Sequence, residues 1–272
     1  MVTGVNMDGR IAVVTGAGGG IGGALVEGLA AHGARAVVAC DLDVAGVEEL
    51  RGTVGPDRVV AHELDVTDPR ATEALADEIE RTVGPIDLWF ANAGIATASG
   101  LDAPDGEWEA QWNVNVMAHL YAARTMVPRW VERGEGHLVT TASMAGILSA
   151  AGDGAYSTTK HAAVGFAEWL AYTYRDQGVG VSCACPGAVD TAMLKAGARG
   201  DAARASAVIG AGEVLSAEEA AARILAGVER GELVVMTHPE MKPYVVGKAE
   251  DPDRWVKGMA RLWARGQQLL DD

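Results

Sequence analysis

The sequence predicts an α/β fold: a doubly wound, mainly parallel sheet of seven strands with helices on both faces. Seven short β-branched runs alternate with longer Ala-rich stretches over most of the 272 residues, which is the rhythm of repeated βαβ units. Most of the short runs are apolar throughout, as expected of parallel strands that are covered on both faces. No internal repeat or low-complexity linker divides the chain, so a single domain accounts for the pattern.

The predicted strands follow a short N-terminal tail, residues 1–9. They lie at residues 11–15, 36–40, 58–63, 86–91, 137–142, 179–184 and 233–236. Helical stretches are predicted at 20–32, 44–52, 69–83, 107–133, 154–177 and 216–229. Residues 10–236 therefore form the predicted domain, and residues 237–272 form a C-terminal extension that is expected to be helical. The Ala- and Gly-rich stretch 192–212 breaks the rhythm and is expected to be a mobile lid over a site or a surface loop.

Composition and charge narrow the classes of function. The 22 Lys and Arg residues against 37 Asp and Glu residues give a net charge of −15, which disfavours nucleic acid and anionic membranes as partners. The six histidines are scattered, so no metal site is expected. No apolar run is long enough for a membrane span and the first residues lack a signal-peptide core. With three cysteines in no redox or zinc spacing, these features predict a cytoplasmic protein.

A glycine-rich segment, Thr15-Gly16-Ala17-Gly18-Gly19-Gly20-Ile21-Gly22, joins the first predicted strand to the first helix. Glycines there permit a tight turn and close approach of the main chain to a pyrophosphate, which the helix N-terminus attracts. The segment therefore predicts a dinucleotide site, with an ordinary Gly-rich turn as the alternative.

Asp41 follows the second predicted strand at the distance where a carboxylate accepts hydrogen bonds from the adenosine ribose hydroxyls. The same charge would repel a 2′-phosphate, and neither Gly19 nor Leu42 offers a basic side chain. This pattern favours NAD over NADP. The alternative is that Asp41 caps the next helix, although Asp43 is as well placed to do so.

Ser143, Tyr156 and Lys160 are the candidate catalytic residues. Tyr156 and Lys160 lie four residues apart on a predicted helix and so share one face. A phenol has an ordinary pKa of about 10, and a neighbouring ammonium together with an oxidised nicotinamide would lower it toward neutrality. Ser143 would hydrogen-bond and orient the substrate oxygen. Taken alone, such a Tyr–Lys spacing is usually a surface pair.

With these motifs in their order along the chain, the sequence resembles the short-chain dehydrogenase/reductase family, in its single-domain subgroup. The resemblance runs from about Arg10 to Met236 and implies a Rossmann-type fold with bound NAD. It implies Asn115 as a fourth catalytic residue, which supports a proton relay to Lys160, and it gives Lys160 a second role in holding the nicotinamide ribose. The cofactor contacts that it implies are Gly16, Gly19, Gly20, Ile21, Asp41, Leu42, Asp65, Val66, Asn92, Ala93, Gly94, Tyr156, Lys160, Pro186, Gly187, Val189 and Thr191. Within that set, Asp65 and Val66 would contact adenine, and Val189 and Thr191 the carboxamide.

The function expected from this resemblance is the NAD-dependent interconversion of a secondary alcohol and a ketone. One alternative is a catalytically silent dinucleotide-binding regulatory protein, which should lack at least one of Ser143, Tyr156 and Lys160. Another is a nucleotide-sugar epimerase or dehydratase, because Gly16, Gly19 and Gly22 also fit the spacing of those longer relatives.

The substrate pocket is expected to include small or apolar residues, which would suit an apolar cyclic alcohol. Besides Ser143 and Tyr156, we expect Met144, Asp153 and Met193 to border the substrate. Asp153 either binds a substrate hydroxyl or is a solvated loop carboxylate.

A second apolar stripe on the Tyr156 helix predicts a homodimer or homotetramer, because a helix with two apolar faces is buried on both sides. This stripe contains Ala162, Phe166, Trp169 and Thr173. The extension carries its own stripe, made of Trp255, Met259, Leu262, Trp263 and Leu269. That stripe is expected to pack on its own domain, on a second subunit or beside the substrate pocket.

Overall fold

The computed structural model describes residues 4–97, 100–195 and 213–271, with side chains as far as residue 265. Its seven strands form one sheet in the order β3-β2-β1-β4-β5-β6-β7, and every neighbouring pair is parallel. The strands are β1 Ile11–Thr15, β2 Ala36–Asp41, β3 Val59–Glu63, β4 Leu88–Ala91, β5 Gly136–Thr141, β6 Val179–Cys185 and β7 Val234–Met236. The predicted seven-stranded doubly wound fold is confirmed.

Ten helices accompany the sheet in the described part of the chain. They are α1 Gly20–Ala31, α2 Val44–Val54, α3 Pro69–Thr82, α4 Asp105–Trp112, α5 Ala118–Arg133, α6 Ala145–Leu148, α7 Gly154–Tyr174, α8 Ala217–Glu229, α9 Lys242–Glu250 and α10 Pro252–Asp271. None of these combines the length and apolar composition that a bilayer-crossing helix needs.

Helices cover the sheet on both faces because alternate residues of each buried strand point to opposite sides. Val13 and Trp89 belong to an apolar cluster with residues of α3, α5 and α7. Val14 and Phe90 belong to a second cluster with residues of α1 and α8. The strand order reverses between β1 and β4, and in sheets of this kind ligands bind in the crevice at that point, beyond the carboxyl ends of the strands.

Two helices differ from the predicted ones. The predicted helix 107–133 consists of α4 and α5, joined by the π-helical residues Asn113–Met117. The predicted helix 154–177 ends at Tyr174 and continues as the 3₁₀ turn Arg175–Gln177. The one-turn helix α6 was not predicted.

The C-terminal extension contains α9 and α10, and α9 packs against both α6 and α10. The rings of Tyr244 and Trp255 lie 6.4 Å apart, and Trp255 packs against the cluster on the α5 and α7 face of the sheet. Of the predicted stripe, Leu269 lies outside the described side chains. In the expected lid, residues 192–195 are helical, and residues 196–212 lie outside the described part of the chain.

Candidate active site

The glycine turn has the geometry of a phosphate cradle. Gly16 has φ 66°, and a Cβ there would stand 2.8 Å from Ala93 Cα. A Cβ on Gly22 would stand 1.9 Å from the Gly16 carbonyl oxygen, so only glycine lets α1 start this close to the turn. The first turn of α1 has no side-chain cap, which leaves its amides available to an anion. The segment therefore fits the diphosphate of a dinucleotide.

Asp41 lies at the end of β2 beside this turn. Its Oδ2 accepts a hydrogen bond from the Gly18 amide at 2.9 Å, and its Oδ1 accepts one from the Asp43 amide at 3.2 Å. The N-cap of α2 is Asp43, whose carboxylate accepts from the Ala45 amide at 3.0 Å. The capping role is thus filled by Asp43, and Asp41 is a partly exposed carboxylate fixed next to the cradle.

The segment after β4 is tied to the neighbouring strands by Asn92. Its Nδ2 donates to the Thr15 carbonyl at 3.0 Å, and its Oδ1 accepts from Thr141 Oγ1 at 3.1 Å. Thr15 Oγ1 accepts from the amides of Asn92 and Ala93 at 3.0 and 3.1 Å. These bonds join the ends of β1, β4 and β5, and they place the Asn92-Ala93-Gly94 segment along the crevice.

Tyr156, Lys160 and Ser143 come together at the end of β5. Lys160 is 2% exposed, its Nζ donates to the Thr141 carbonyl at 2.8 Å, and Nζ lies 5.5 Å from the centre of the Tyr156 ring. Ser143 lies beside the Tyr156 hydroxyl group and acts to lower the pKa of that phenol. Ser143 Oγ also accepts from the Ala145 amide at 3.0 Å and contacts the Pro186 carbonyl at 3.3 Å. Lys160 is buried and Tyr156 is partly buried beside it, so the two residues are not a surface pair.

Burial dominates the pKa values of Tyr156 and Lys160. It raises the pKa of Tyr156 to about 12, and the contact with Ser143 offsets only part of that rise. It lowers the pKa of Lys160 to about 8. In the chain alone desolvation disfavours the phenolate more strongly than its neighbours stabilise it. The expected lowering of the phenol pKa includes the charge of an oxidised nicotinamide and stays a prediction.

Asn115 is fully buried in the π-helical stretch, which is a kind of distortion that often occurs at functional sites. Its Oδ1 accepts from the Ile95 amide at 2.9 Å, and its Nδ2 donates to the Ile95 carbonyl at 2.9 Å and to Thr159 Oγ1 at 3.1 Å. A Cβ on Gly94 would stand 3.3 Å from both Asn115 Oδ1 and Lys160 Nζ. Asn115 thus fixes the segment that passes over Lys160.

The loop after β6 crosses the other side of the crevice. Val189 pairs with Leu215, supported by hydrogen bonds from the Asp190 amide to the Leu215 carbonyl at 2.8 Å and from the Leu215 amide to the Ala188 carbonyl at 3.1 Å. Thr191 lies against the glycine turn, since a Cβ on Gly20 would stand 3.1 Å from its methyl group. Of the predicted contacts on this loop, Thr191 therefore faces the cradle, and Val189 packs in a small apolar cluster with Ile21 of α1.

The remaining residues predicted to contact the substrate or the cofactor differ in how deeply they are buried. Met144 is 3% exposed and packs in the core, which leaves little of its side chain for a substrate. Asp153 is 7% exposed and caps α7 by accepting from the Tyr156 amide at 3.1 Å, so the alternative of a solvated loop carboxylate is wrong. Three of the predicted residues are exposed, namely Leu42, Asp65 and Met193. Val66 is partly buried.

Sequence reasoning missed two residues beside the site. Thr141 acts through its carbonyl, and a main-chain acceptor leaves no signal in the residue type. His119 is 1% exposed, and burial together with nearby Lys160 lowers its pKa to about 3. One signal was available for His119, because it lies four residues after Asn115 and so on the same helix face.

Comparisons with known proteins agree with this geometry. A family model described as short chain dehydrogenase matches residues 10–201. The 1-deoxy-11-beta-hydroxypentalenate dehydrogenase of Streptomyces avermitilis is 42% identical over 194 residues, which cover 68% of this chain and 70% of that protein. Human epidermal retinol dehydrogenase 2 is 32% identical over 197 residues, which cover 70% of this chain and 63% of that protein.

Two solved structures are similar over nearly their whole length. A short-chain dehydrogenase/reductase from Burkholderia phymatum in complex with NAD has a TM-score of 0.79 and 29% identity, covering 92% of this chain and 96% of that one. A Beutenbergia cavernae protein with NADP bound at low occupancy has a TM-score of 0.76 and 31% identity, covering 86% of this chain and 98% of that one. The chain belongs to the short-chain dehydrogenase/reductase family of oxidoreductases.

Proposed function

We propose that the protein is an NAD-dependent oxidoreductase that interconverts a secondary alcohol and a ketone. The observation that carries this proposal is the convergence of Ser143, Tyr156 and Lys160 beside the glycine cradle. A buried ammonium 5.5 Å from a phenol ring, with a serine hydroxyl beside the phenol oxygen, supplies an acid–base group and a substrate anchor in one place. A silent regulatory protein has no need of all three groups.

Tyr156 is the general acid and base. With a pKa of about 12 in the chain alone, the phenol holds its proton and is ready to donate it to a ketone oxygen. For alcohol oxidation the phenolate has to form, and the positive charges of Lys160 and of an oxidised nicotinamide both favour it. Ser143 donates to the substrate oxygen and holds it beside Tyr156. Asn115 supports the proton relay by fixing the segment next to Lys160.

The cradle and its neighbours would hold NAD, which supplies hydride transfer when bound. The glycine turn with Gly19, Gly20 and Ile21 would bind the diphosphate, Asp41 the adenosine ribose, and Lys160 the nicotinamide ribose. Adenine would lie against Asp65 and Val66 next to Leu42, and the Asn92-Ala93-Gly94 segment would line the cofactor. On the far side, Pro186, Gly187, Val189 and Thr191 would hold the nicotinamide end.

The substrate that we propose is an apolar cyclic secondary alcohol, bound beside Ser143 and Tyr156 near Met144, Asp153 and Met193. The name of the Streptomyces avermitilis relative supports this class, because a β-hydroxyl denotes a stereogenic carbon and its dehydrogenation is that of a secondary alcohol. The second relative is named as a retinol dehydrogenase, which also acts on a hydroxyl group. Neither name favours a nucleotide-sugar epimerase or dehydratase.

The test is to follow nicotinamide absorbance with NAD and with NADP against a panel of cyclic secondary alcohols. We expect net reduction of NAD with at least one of them and a higher kcat/KM for NAD than for NADP. Replacing Asp41 with Ser should narrow that preference, because the carboxylate that repels a 2′-phosphate is gone. Equal or better kcat/KM with NADP in the native protein would show that the ribose role of Asp41 is wrong. Cofactor recycling without net reduction would favour an epimerase.

We also propose that the protein is a homodimer or homotetramer that forms through α7. The face of α7 away from Tyr156 carries Phe166 and Trp169, whose rings lie 6.1 Å apart, and Trp169 is 44% exposed. An exposed aromatic side chain next to a partly buried one on a central helix suits an interface between identical subunits. Light scattering should give a mass of at least twice 28.1 kDa, and Trp169→Glu should shift it toward that of the monomer. A native monomer would overturn this proposal.

The buried thiols bear on location. Cys40, Cys183 and Cys185 are all free and buried, which suits a reducing compartment, and we propose the cytoplasm. The strong negative charge disfavours binding to nucleic acid or to an anionic membrane. We propose a small molecule as the partner.

A further inference from the structure

We infer that the start of the C-terminal extension, residues 237–250, positions both walls of the active site. His238 holds the loop after β6 on the cofactor side, and Lys248 holds α6 on the substrate side. This inference rests on the proposed function, because it assigns the two walls to NAD and to the alcohol. Both residues lie outside the stretch that the family model matches.

His238 joins two separate segments through its two ring nitrogens. The Gly187 amide donates to His238 Nδ1 at 3.1 Å. Because an amide can only donate, Nδ1 carries no proton and Nε2 carries it, so Nε2 donates to the Glu213 carbonyl at 3.0 Å. The ring is 1% exposed and touches the Gly187 main chain so closely that a Cβ there would stand 2.8 Å from Nδ1.

The two segments that His238 joins are the ones that form the Val189–Leu215 bridge. Gly187 precedes that bridge on one side and Glu213 precedes it on the other. The imidazole therefore sets the position of the loop that runs from Pro186 to Thr191. Since this loop faces the cradle, a shift of the loop changes the space that is left for NAD.

Lys248 acts on α6, which consists of only four residues. A single helical turn is not stable by itself, and the last carbonyls of a helix have no partner within it. This helix ends at Leu148, and the next residue, Ser149, is its C-cap. With φ 68°, Ser149 is the one non-glycine residue with positive φ in the described ranges. Lys248 Nζ donates to the Ile147 carbonyl, and a cation at this end also complements the helix dipole.

Holding α6 orients Ser143, because the Ala145 amide at the start of α6 donates to Ser143 Oγ at 3.0 Å. Packing supports the same contact, since α9 lies against α6 and Val245 packs against the cluster that contains Leu148. Lys248 is thus a positioning residue for the serine that would hold the substrate oxygen, and His238 is one for the cofactor loop. The two roles predict separable effects.

The His238 arm compares Asn, Gln and Ala at this position. The Oδ1 of Asn stands near the place of Nδ1 and can accept from Gly187, whereas the Nε2 of Gln can only replace the donor to Glu213. We expect His238→Asn to bind NAD nearly as well as the native protein, and His238→Gln and His238→Ala to bind it about 3- to 10-fold more weakly in fluorescence titration. Amide hydrogen exchange at Gly187 in the cofactor-free protein should be slow with His or Asn and faster with Gln or Ala.

The Lys248 arm compares Met, Arg and a control on the same helix. Lys248→Met should raise KM for a responsive alcohol about 3- to 10-fold with unchanged NAD affinity, and should speed amide exchange at Ser149 in the cofactor-free protein. An arginine at this position can still donate to the Ile147 carbonyl. Lys248→Arg should therefore have a KM and a Ser149 exchange rate close to those of the native protein. The control is Lys242→Met, because Lys242 is exposed on α9, and this change should match the native protein.

The outcomes separate this inference from the proposed function. A native protein that binds neither NAD nor NADP contradicts the proposed function. Native NAD binding with equal affinities and equal Gly187 exchange in the Asn and Gln variants overturns the role of His238. Failure of both variants to fold, judged by circular dichroism, also overturns it, because His238 would then be a residue of the core. A Lys248→Met protein with native KM and native Ser149 exchange overturns the role of Lys248.

Discussion

The two sides of the crevice are built by opposite means. The cofactor side, from Gly16 to Gly22 with Asp41, is formed mainly by main-chain groups and by the absence of Cβ atoms. Its Gly18, Gly19 and Gly20 are exposed. The acid–base side is formed by side chains, of which Lys160 is 2% exposed and Asn115 is fully buried. Their polar atoms bond to main-chain groups such as the Thr141 carbonyl.

This difference determines how each side tolerates change. On the cofactor side, adding an atom is expected to disrupt the site, because Gly22 has no room for a Cβ. On the acid–base side, removing a polar atom is expected to disrupt it, because each buried polar group depends on a particular hydrogen-bond partner. Three experiments test this contrast.

The largest expected effect is that of Tyr156→Phe, which removes only the hydroxyl. Loss of a positioned acid–base group costs on the order of 10²–10⁴-fold in rate, so kcat should fall by that amount while NAD affinity changes little. Steady-state kinetics beside a fluorescence titration of NADH measure both. Ser143→Ala should also lower kcat and spare the cofactor, whereas Lys160→Ala should weaken NAD binding as well. A Tyr156→Phe protein with near-native kcat would contradict the assignment.

The next effect concerns stability and pH. The pKa of Lys160 is about 8 in the folded chain against 10.5 ordinarily, so between these values the unfolded chain binds more protons. Stability of the cofactor-free protein should therefore rise with pH from about 8 to 10.5, by up to about 3 kcal/mol. Lys160→Met should lack that rise. The difference in free energy of unfolding between the native protein and Lys160→Met should therefore change between pH 8 and 10.5 and stay constant below pH 8. Urea unfolding of both proteins at several pH values measures this difference. If the stability of both proteins changes with pH in the same way, burial of Lys160 does not lower its pKa.

The smallest effect tests the cofactor side with a matched pair of glycines. A Cβ on Gly22 would stand 1.9 Å from the Gly16 carbonyl oxygen, whereas a Cβ on Gly19 would meet nothing within 4 Å. Gly22→Ala should weaken NAD binding about ten-fold or more and lower Tm, and Gly19→Ala should leave Tm near its native value. Equal Tm values for the two variants would show that the close approach of α1 to the turn is not required.

Much of the fold was accessible from residue patterns. Apolar runs predicted all seven strands, with ends displaced by at most two residues, as at β4, which starts at Leu88 instead of residue 86. The motifs that the resemblance rests on converge at the carboxyl ends of β1, β4, β5 and β6. The π-helical residues around Asn115 were not predicted, because five residues are too few to show an apolar period different from that of the helices on either side.

Side-chain roles were less accessible. Asp153 is a buried helix cap and not a solvated carboxylate, and its contact with a substrate stays a prediction. Met144 is 3% exposed and packs in the core, and its place beside the substrate also stays a prediction. In the chain alone burial raises the pKa of Tyr156 to about 12, whereas the expected lowering includes the charge of an oxidised nicotinamide. Each outcome depends on which distant residues surround the side chain, and spacing along the chain does not report that.

The strand positions, the glycine turn and the shared helix face of Tyr156 and Lys160 follow from local rules, since backbone freedom and side-chain periodicity act over a few residues. Burial, pKa and the contacts of the extension follow from packing between distant segments. His238 meets Gly187 across 51 residues of chain, and Lys248 meets Ile147 across 101. A hydrogen bond to a main-chain atom places no demand on the residue type of its partner, so neither contact has a counterpart in the sequence pattern.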